Sequence, residues 1–305
     1  MQKAYVHIAA IFSMIFWGVS FVLSKTVFEF YTPLTTIFFR LIISSMFLFP
    51  LIKLTGKFEK IDRKDLGLLI GGAFFNPFLY FIGENYGLNL VSVSVSAIII
   101  STIPVFTAFV ALKIFAEKLS KINIFGMVIS FFGLTIILVN KEFKLDASPL
   151  GITLLFLAVV SAVIYTVYIK KLTVKYKPIT IITWQNLAGV LFFLPFFLIF
   201  DFKEVMHIKP DVVTILSLVG LGILCSSAAY ILFIYAIKHL GISKSNLYTN
   251  LIPVIASLAA FFLLKEDFTW TKAVGIFVVI LGVMLSQFNR KSKIFNIKRL
   301  WMQKY

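Results

Sequence analysis

Ten stretches of this sequence are apolar for about 18 residues or more, and a chain so built has few folds open to it. They fall at about 5–24, 34–52, 66–88, 93–112, 119–139, 150–169, 179–200, 212–236, 243–264 and 271–288. At 1.5 Å rise per residue, roughly 20 apolar residues cross the hydrocarbon of a bilayer as one helix. The connections are short, which leaves no soluble domain of any size. Hydrophobic residues make up 60% of the 305 and charged ones only 14%, with a mean hydropathy of +0.99. The expected fold is an all-α integral membrane protein of ten transmembrane helices, with lipid as its surroundings.

The first run does not read as a secretory signal. Only Lys3 precedes it, it is longer than a signal core, and no clear small-residue cleavage site follows. The one cysteine, Cys225, lies within the eighth run and excludes an intrachain disulfide; a buried, inert thiol is expected. A net charge of +16 points towards nucleic acid until its distribution is considered. If the N-terminus is inside, 21 of the 29 Lys and Arg residues fall on cytoplasmic segments. That is the positive-inside bias. It predicts that both termini are cytoplasmic and that no nucleic acid is bound. The tail 289–305 mixes basic residues with Ile294, Phe295, Ile297, Leu300 and Trp301. It reads either as a short helix on an anionic leaflet or as a disordered stop-transfer tail.

The chain repeats itself. A shift of 149 places Pro104, Val105, Ala111 and Glu117 on Pro253, Val254, Ala260 and Glu266. The same shift places Gly71 on Gly220, Tyr86 on Tyr235, Ser94 on Ser243, and Gly126 and Gly133 on Gly275 and Gly282. Coincident Pro, Gly and Glu carry weight because each has its own backbone or charge role. The expected division is a first five-helix repeat at 1–145, a second at 146–288 and a basic cytoplasmic tail at 289–305. Five is odd, so the second half enters the membrane from the opposite side and the repeats are inverted. Many secondary transporters are built this way, with a midplane site between the halves. Glu117 and Glu266 then end their helices at opposite faces instead of sitting in hydrocarbon. Pro104 and Pro253 free the carbonyls of Ile100 and Thr249, which lipid tolerates only where they face protein or a watery cavity. Simple kinking is the alternative.

At this point a family comes into view. The ten-span layout, the duplicated halves, Trp17-Gly18 followed by Lys25, and Pro-Val…Glu at 104–117 and 253–266 resemble the EamA-type transporters of the drug/metabolite transporter superfamily. The likeness covers residues 5–288. It implies a polytopic carrier whose central cavity is lined mainly by spans 1, 3, 4, 6, 8 and 9, with spans 5 and 10 peripheral. It implies no particular substrate.

Polar faces within the spans supply the candidate site. Asn246, Thr249, Asn250 and Pro253 stand at i, i+3, i+4 and i+7 of span 9, one face if the helix is regular. The matching face of span 4 carries Ser94, Ala97, Ser101, Pro104 and Ala108. Span 3 offers Asn76, Tyr80, Gly83 and Gly87; span 6 Ser161, Tyr165 and Tyr168; span 8 Ser226, Ser227 and Tyr230; span 1 Trp17 with Ser13 and Ser20. Tyrosine joins an apolar wall to one polar tip, which suits a small amphipathic ligand. Packing and interhelical hydrogen bonding are the competing explanations for these residues. Three charges lie within spans: Lys25, Arg40 and Glu84. They are read as a charge pair, Arg40 or Lys25 with Glu84, or as groups that attract a ligand or carry a proton. Gly126/Gly133 and Gly275/Gly282, two turns apart, predict close helix packing.

No phosphate-cradling, metalloprotease or nucleophile-elbow motif occurs, and His7, His207 and His239 are far apart. No enzyme, cofactor or metal is expected. The expected partners are a small-molecule substrate and the lipid bilayer; the oligomeric state is not readable. The reading is a secondary carrier in the cell inner membrane, exporting small metabolites such as amino acids or their derivatives by alternating access. Carriage of sugars or drug-like compounds, or a non-transporting membrane role, are the rival readings.

Overall fold

The computed structural model describes residues 2–107, 110, 120–138, 147–240, 245, 247–267 and 269–286. All regular structure among them is helical. The helices are α1 (Gln2–Val27), α2 (Pro33–Leu54), α3 (Arg63–Leu90), α4 (Val93–Thr107), α5 (Lys121–Leu138), α6 (Pro149–Lys175), α7 (Pro178–Val205), α8 (Val212–Leu240), α9 (Tyr248–Leu264) and α10 (Trp270–Ser286). Among the described residues, six are long and apolar enough to cross a membrane, namely α1, α2, α3, α6, α7 and α8; the apolar stretches of the other four are shorter. Glu117, Asn246 and the tail lie outside the described residues.

Local sequence sets the helix starts. Thr32, Ser92, Ser148 and Asp211 each accept a backbone N–H three residues on, satisfying a donor the helix cannot. Prolines follow directly at Pro33 and Pro149, where the missing N–H costs nothing. The interruptions are as informative. Helix α3 breaks at Asn76 (φ −147°, ψ 117°), immediately before Pro77. Helix α4 turns at Ser101 and Thr102, just ahead of Pro104. In α9 a tight 3₁₀ turn, Leu247–Leu251, precedes Pro253, which sits in the first turn of regular α-helix. In α8 the helix widens over Leu221–Ala228. That stretch covers the positions that a 149-residue shift assigns to the α3 break.

Eight helices surround one interior, and α5 and α10 pack chiefly on each other. A Cβ on Gly133 would come within 2.7 Å of the Val279 backbone nitrogen, so the two backbones meet there. Gly18 leaves room for α9 against α1, where a Cβ would lie 2.6 Å from the Ile255 side chain. Outward faces are apolar, for example Phe132, Ile199, Phe262 and Phe277. In water such a surface would aggregate; against lipid it is the favoured one.

The two ends of α7 are tied to the first half of the chain. At its start, Glu59 accepts the Lys177 backbone N–H at 2.8 Å and the Thr180 hydroxyl at 2.9 Å. Nearby, Asp65 accepts Lys175 Nζ and Tyr176 Oη, both at 2.6 Å, and Lys175 also meets Asp62. At the far end, Asp201 accepts the Thr35 hydroxyl at 2.6 Å and that of Thr32. Glu266 closes off this second end. Its carboxylate accepts the Val93 backbone N–H at 2.7 Å and the Ser94 hydroxyl at 3.1 Å. A carboxylate at the end of α9 therefore serves as the anion at the start of α4, where the helix dipole favours one.

Candidate functional site

The helix breaks converge on a cavity of about 80 Å³ between the halves. Ordered water needs roughly 10–15 Å³ each by the same kind of measure, so several waters fit, whereas drug-sized ligands occupy about 300 Å³ or more. The wall takes Trp17, Ser20 and Phe21 from α1, Arg40 from α2, and Asn76, Tyr80, Phe81 and Glu84 from α3. Ile100 and Ile103 come from α4, Ala162, Tyr165, Thr166 and Ile169 from α6, Tyr230, Phe233, Ile234 and Ile237 from α8, and Thr249 and Ile252 from α9.

The polar members are organised by the backbone breaks. Asn76 leaves the helical conformation and accepts the Tyr230 hydroxyl at 3.2 Å, joining α3 to α8. Trp17 meets Tyr230 and Phe233 edge-on, with ring centres 5.0 and 4.9 Å away. Its indole N–H donates to the Cys225 carbonyl at 3.2 Å, an acceptor within the widened turns of α8. Tyr165 donates to Gln185 Oε1 at 2.9 Å.

Two charges share the wall. Arg40 is 2% exposed; its Nε donates to Ser226 Oγ at 2.8 Å and its guanidinium carbon lies 4.3 Å from the Phe81 ring centre. Its Nη1 is buried without a hydrogen-bond partner. Glu84, also buried, accepts the Tyr80 hydroxyl at 2.8 Å and makes a long 3.5 Å contact with Asn85 Nδ2. The two are not within ion-pair distance of one another. Lys25 stands apart from both and within electrostatic reach of Glu266.

Of the residues expected from sequence, Trp17, Asn76, Tyr80, Tyr165, Tyr230, Thr249, Arg40 and Glu84 meet at this one cavity. Ser101 is buried beside it and donates to the Ile98 carbonyl at 2.7 Å. Asn250 is buried outside the wall, with Oδ1 unpartnered. Pro104 and Pro253 stand at the breaks and do not reach the wall. Sequence reasoning passed over Phe233, Thr166 and the α4 isoleucines. Phe233 lies one turn beyond Tyr230, so the period of that face was the available signal. It also passed over Asn186, whose Nδ2 donates to Ser44 Oγ at 2.6 Å and the Ser226 carbonyl at 2.9 Å, tying α2, α7 and α8 behind Arg40.

Comparison with known proteins agrees with this architecture. The model of the EamA-like transporter family matches residues 4–139 and again 149–288. An uncharacterized transporter of Archaeoglobus fulgidus is 28% identical over 270 residues, covering 88% of this chain and 94% of its own length. The uncharacterized transporter YetK of Bacillus subtilis is 26% identical over 292 residues, covering 94% and 88%. A solved crystal structure superposes with a TM-score of 0.70 at 13% identity, over 93% of this chain and 98% of that one, and so shares the fold. With the family model matched across both halves, the chain belongs to the EamA-like transporter family, multi-pass membrane proteins of the drug/metabolite transporter type.

Proposed function

We propose that this transporter is a secondary carrier that moves small metabolites, amino acids or their derivatives among them, outward across the cell inner membrane by alternating access. The reading takes the ten helices as ten spans in two inverted halves, 1–145 and 146–288, with both termini cytoplasmic. One observation carries it: a cavity walled by both halves and lined by polar groups, Asn76 and Thr249 among them at helix breaks, in a chain of this family. The polar ties at both ends of α7 support alternation, because a carrier needs closures that can be made and broken in turn.

Counterflow tests it. Liposomes holding the purified protein are loaded with mixed unlabelled amino acids and probed with labelled ones. Accumulation of a label, lost when Asn76→Ala is reconstituted in folded form, is the expected result. Accumulation of sugars or lipophilic compounds instead would replace the substrate class and keep the carrier. No accumulation from any pool, nucleosides included, with protein shown to be folded, would overturn the carrier reading.

A further inference from the structure

The cavity wall carries two kinds of chemistry. Arg40, Glu84 and Tyr80 bring charged and polar groups from α2 and α3, whereas Ile100, Ile103, Ile234 and Ile252 offer only methyl and methylene groups. Among the polar groups the bonding is incomplete. The Arg40 guanidinium has five N–H donors, yet Ser226 takes one, Nη1 has no acceptor, and among the described residues no carboxylate lies within ion-pair distance. A buried guanidinium in that condition is costly unless an anion completes it. Its planar fork matches a carboxylate. Glu84 is short of donors in turn. Ionised, it can accept about four hydrogen bonds, and it receives one good one, from Tyr80.

We infer that the cavity recognises a small zwitterion, with the ligand carboxylate on Arg40, its ammonium on Glu84 and an apolar side chain against the isoleucines. The inference rests on the carrier reading and specifies its substrate. An intramembrane guanidinium and carboxylate that both line one cavity without pairing are each supplied by the ligand with the partner they lack. Tyr80 holds the Glu84 carboxylate in place and Ser226 the Arg40 guanidinium, so the ligand meets groups already oriented. A ligand missing either charge leaves one of the two buried and uncompensated, which is the stronger source of discrimination.

The test uses wild-type protein in liposomes, with labelled L-leucine counterflow competed by L-leucine, L-leucinamide and 4-methylpentanoate. The amide lacks the carboxylate and the acid lacks the amine, while the apolar part is unchanged. The expected result is that leucine competes and that each analogue is weaker by about tenfold or more, the loss of one charged hydrogen bond. Arg40→Gln should narrow the gap between leucine and leucinamide, and Glu84→Gln the gap between leucine and 4-methylpentanoate. If either variant fails to fold, the wild-type series decides alone. Equal competition by an analogue overturns the inference. So does accumulation of sugars or lipophilic cations with every amino acid refused, an outcome that leaves the carrier standing. Failure of every probe to accumulate removes both.

Discussion

Tyr230 shows how a single side chain links a helix break to the cavity. Its ring packs edge-on to Trp17 and its hydroxyl reaches Asn76, whose backbone is non-helical. Tyr230→Phe deletes that hydrogen bond at almost constant volume, a change of about 1 kcal/mol. We expect counterflow to need several-fold more substrate while the melting temperature moves little; unchanged kinetics would take the hydroxyl out of the transport cycle. The aromatic and amide members of the wall were legible because such groups are expensive inside an apolar run. Asn250 was not, and the reason is periodicity. The stripe from Asn246 to Pro253 assumed 3.6 residues per turn, but Leu247–Leu251 winds at about three, so positions i+3 and i+4 part company. A charge at the bundle end allows a pH prediction. Partial burial pushes the Glu59 carboxyl up, but the Lys177 N–H, the Thr180 hydroxyl and the Lys177 charge outweigh it and hold the group below the usual carboxylate range. A carboxyl depressed on folding stabilises fully above its unfolded pKa and loses that contribution as pH falls through the folded one. The melting temperature should therefore fall on acidification below about pH 4.3. Glu59→Gln should make that slope shallower and cost about 0.5 kcal/mol at neutral pH. An unaltered acid slope in the variant would show that Glu59 is not the group responsible.

Helix α4 owes its start to a residue from another helix. After α9 ends, Lys265 takes a left-handed conformation (φ 55°), and Glu266 reaches the first turn of α4. Removing a cap costs about 1 kcal/mol, and removing an anion from a helix N-terminus about 0.3–1 kcal/mol more. Glu266→Ala should lose both contributions, whereas Glu266→Gln keeps an acceptor and loses only the charge. Thermal unfolding in detergent should rank wild type above Gln above Ala; equal stability of all three would mean that the Ser92 cap suffices without it. The repeated Pro-Val…Glu spacing pointed to a special role for this glutamate, but a sequence cannot name a partner 173 residues away. The breaks divide in the same way. Pro104 and Pro253 announced theirs, and Asn76-Pro77 was a turn signal of the same kind that went unread. The widening of α8 over Leu221–Ala228 has no proline and no local signal; only its repeat relation to α3 points there.

At the scale of the whole molecule, the ties at the two ends of α7 make a prediction of opposite signs. One set joins Asp62, Asp65 and Glu59 to Lys175–Thr180, and the other joins Thr32 and Thr35 to Asp201 and the start of α4 to Glu266. With both sets made, a ligand can enter the cavity of about 80 Å³ only when one set opens. A carrier that alternates has two states whose populations these ties balance, and about 1.4 kcal/mol changes their ratio tenfold. Thr249 lines the cavity, so a cysteine there, probed with a membrane-impermeant maleimide supplied only on the side that carries Lys175, reports access from that end. In a Cys225→Ser background, Thr249→Cys should react faster with a water-soluble maleimide when Asp62→Asn and Asp65→Asn weaken the tie at that end. Glu266→Ala, which loosens the opposite end, should slow the same reaction by drawing population into the other open state. A channel open along its length would show acceleration in both cases, and a static bundle no change in either. Only two closures that compete for one cavity make the signs differ, and that difference separates a carrier from every other use of this fold.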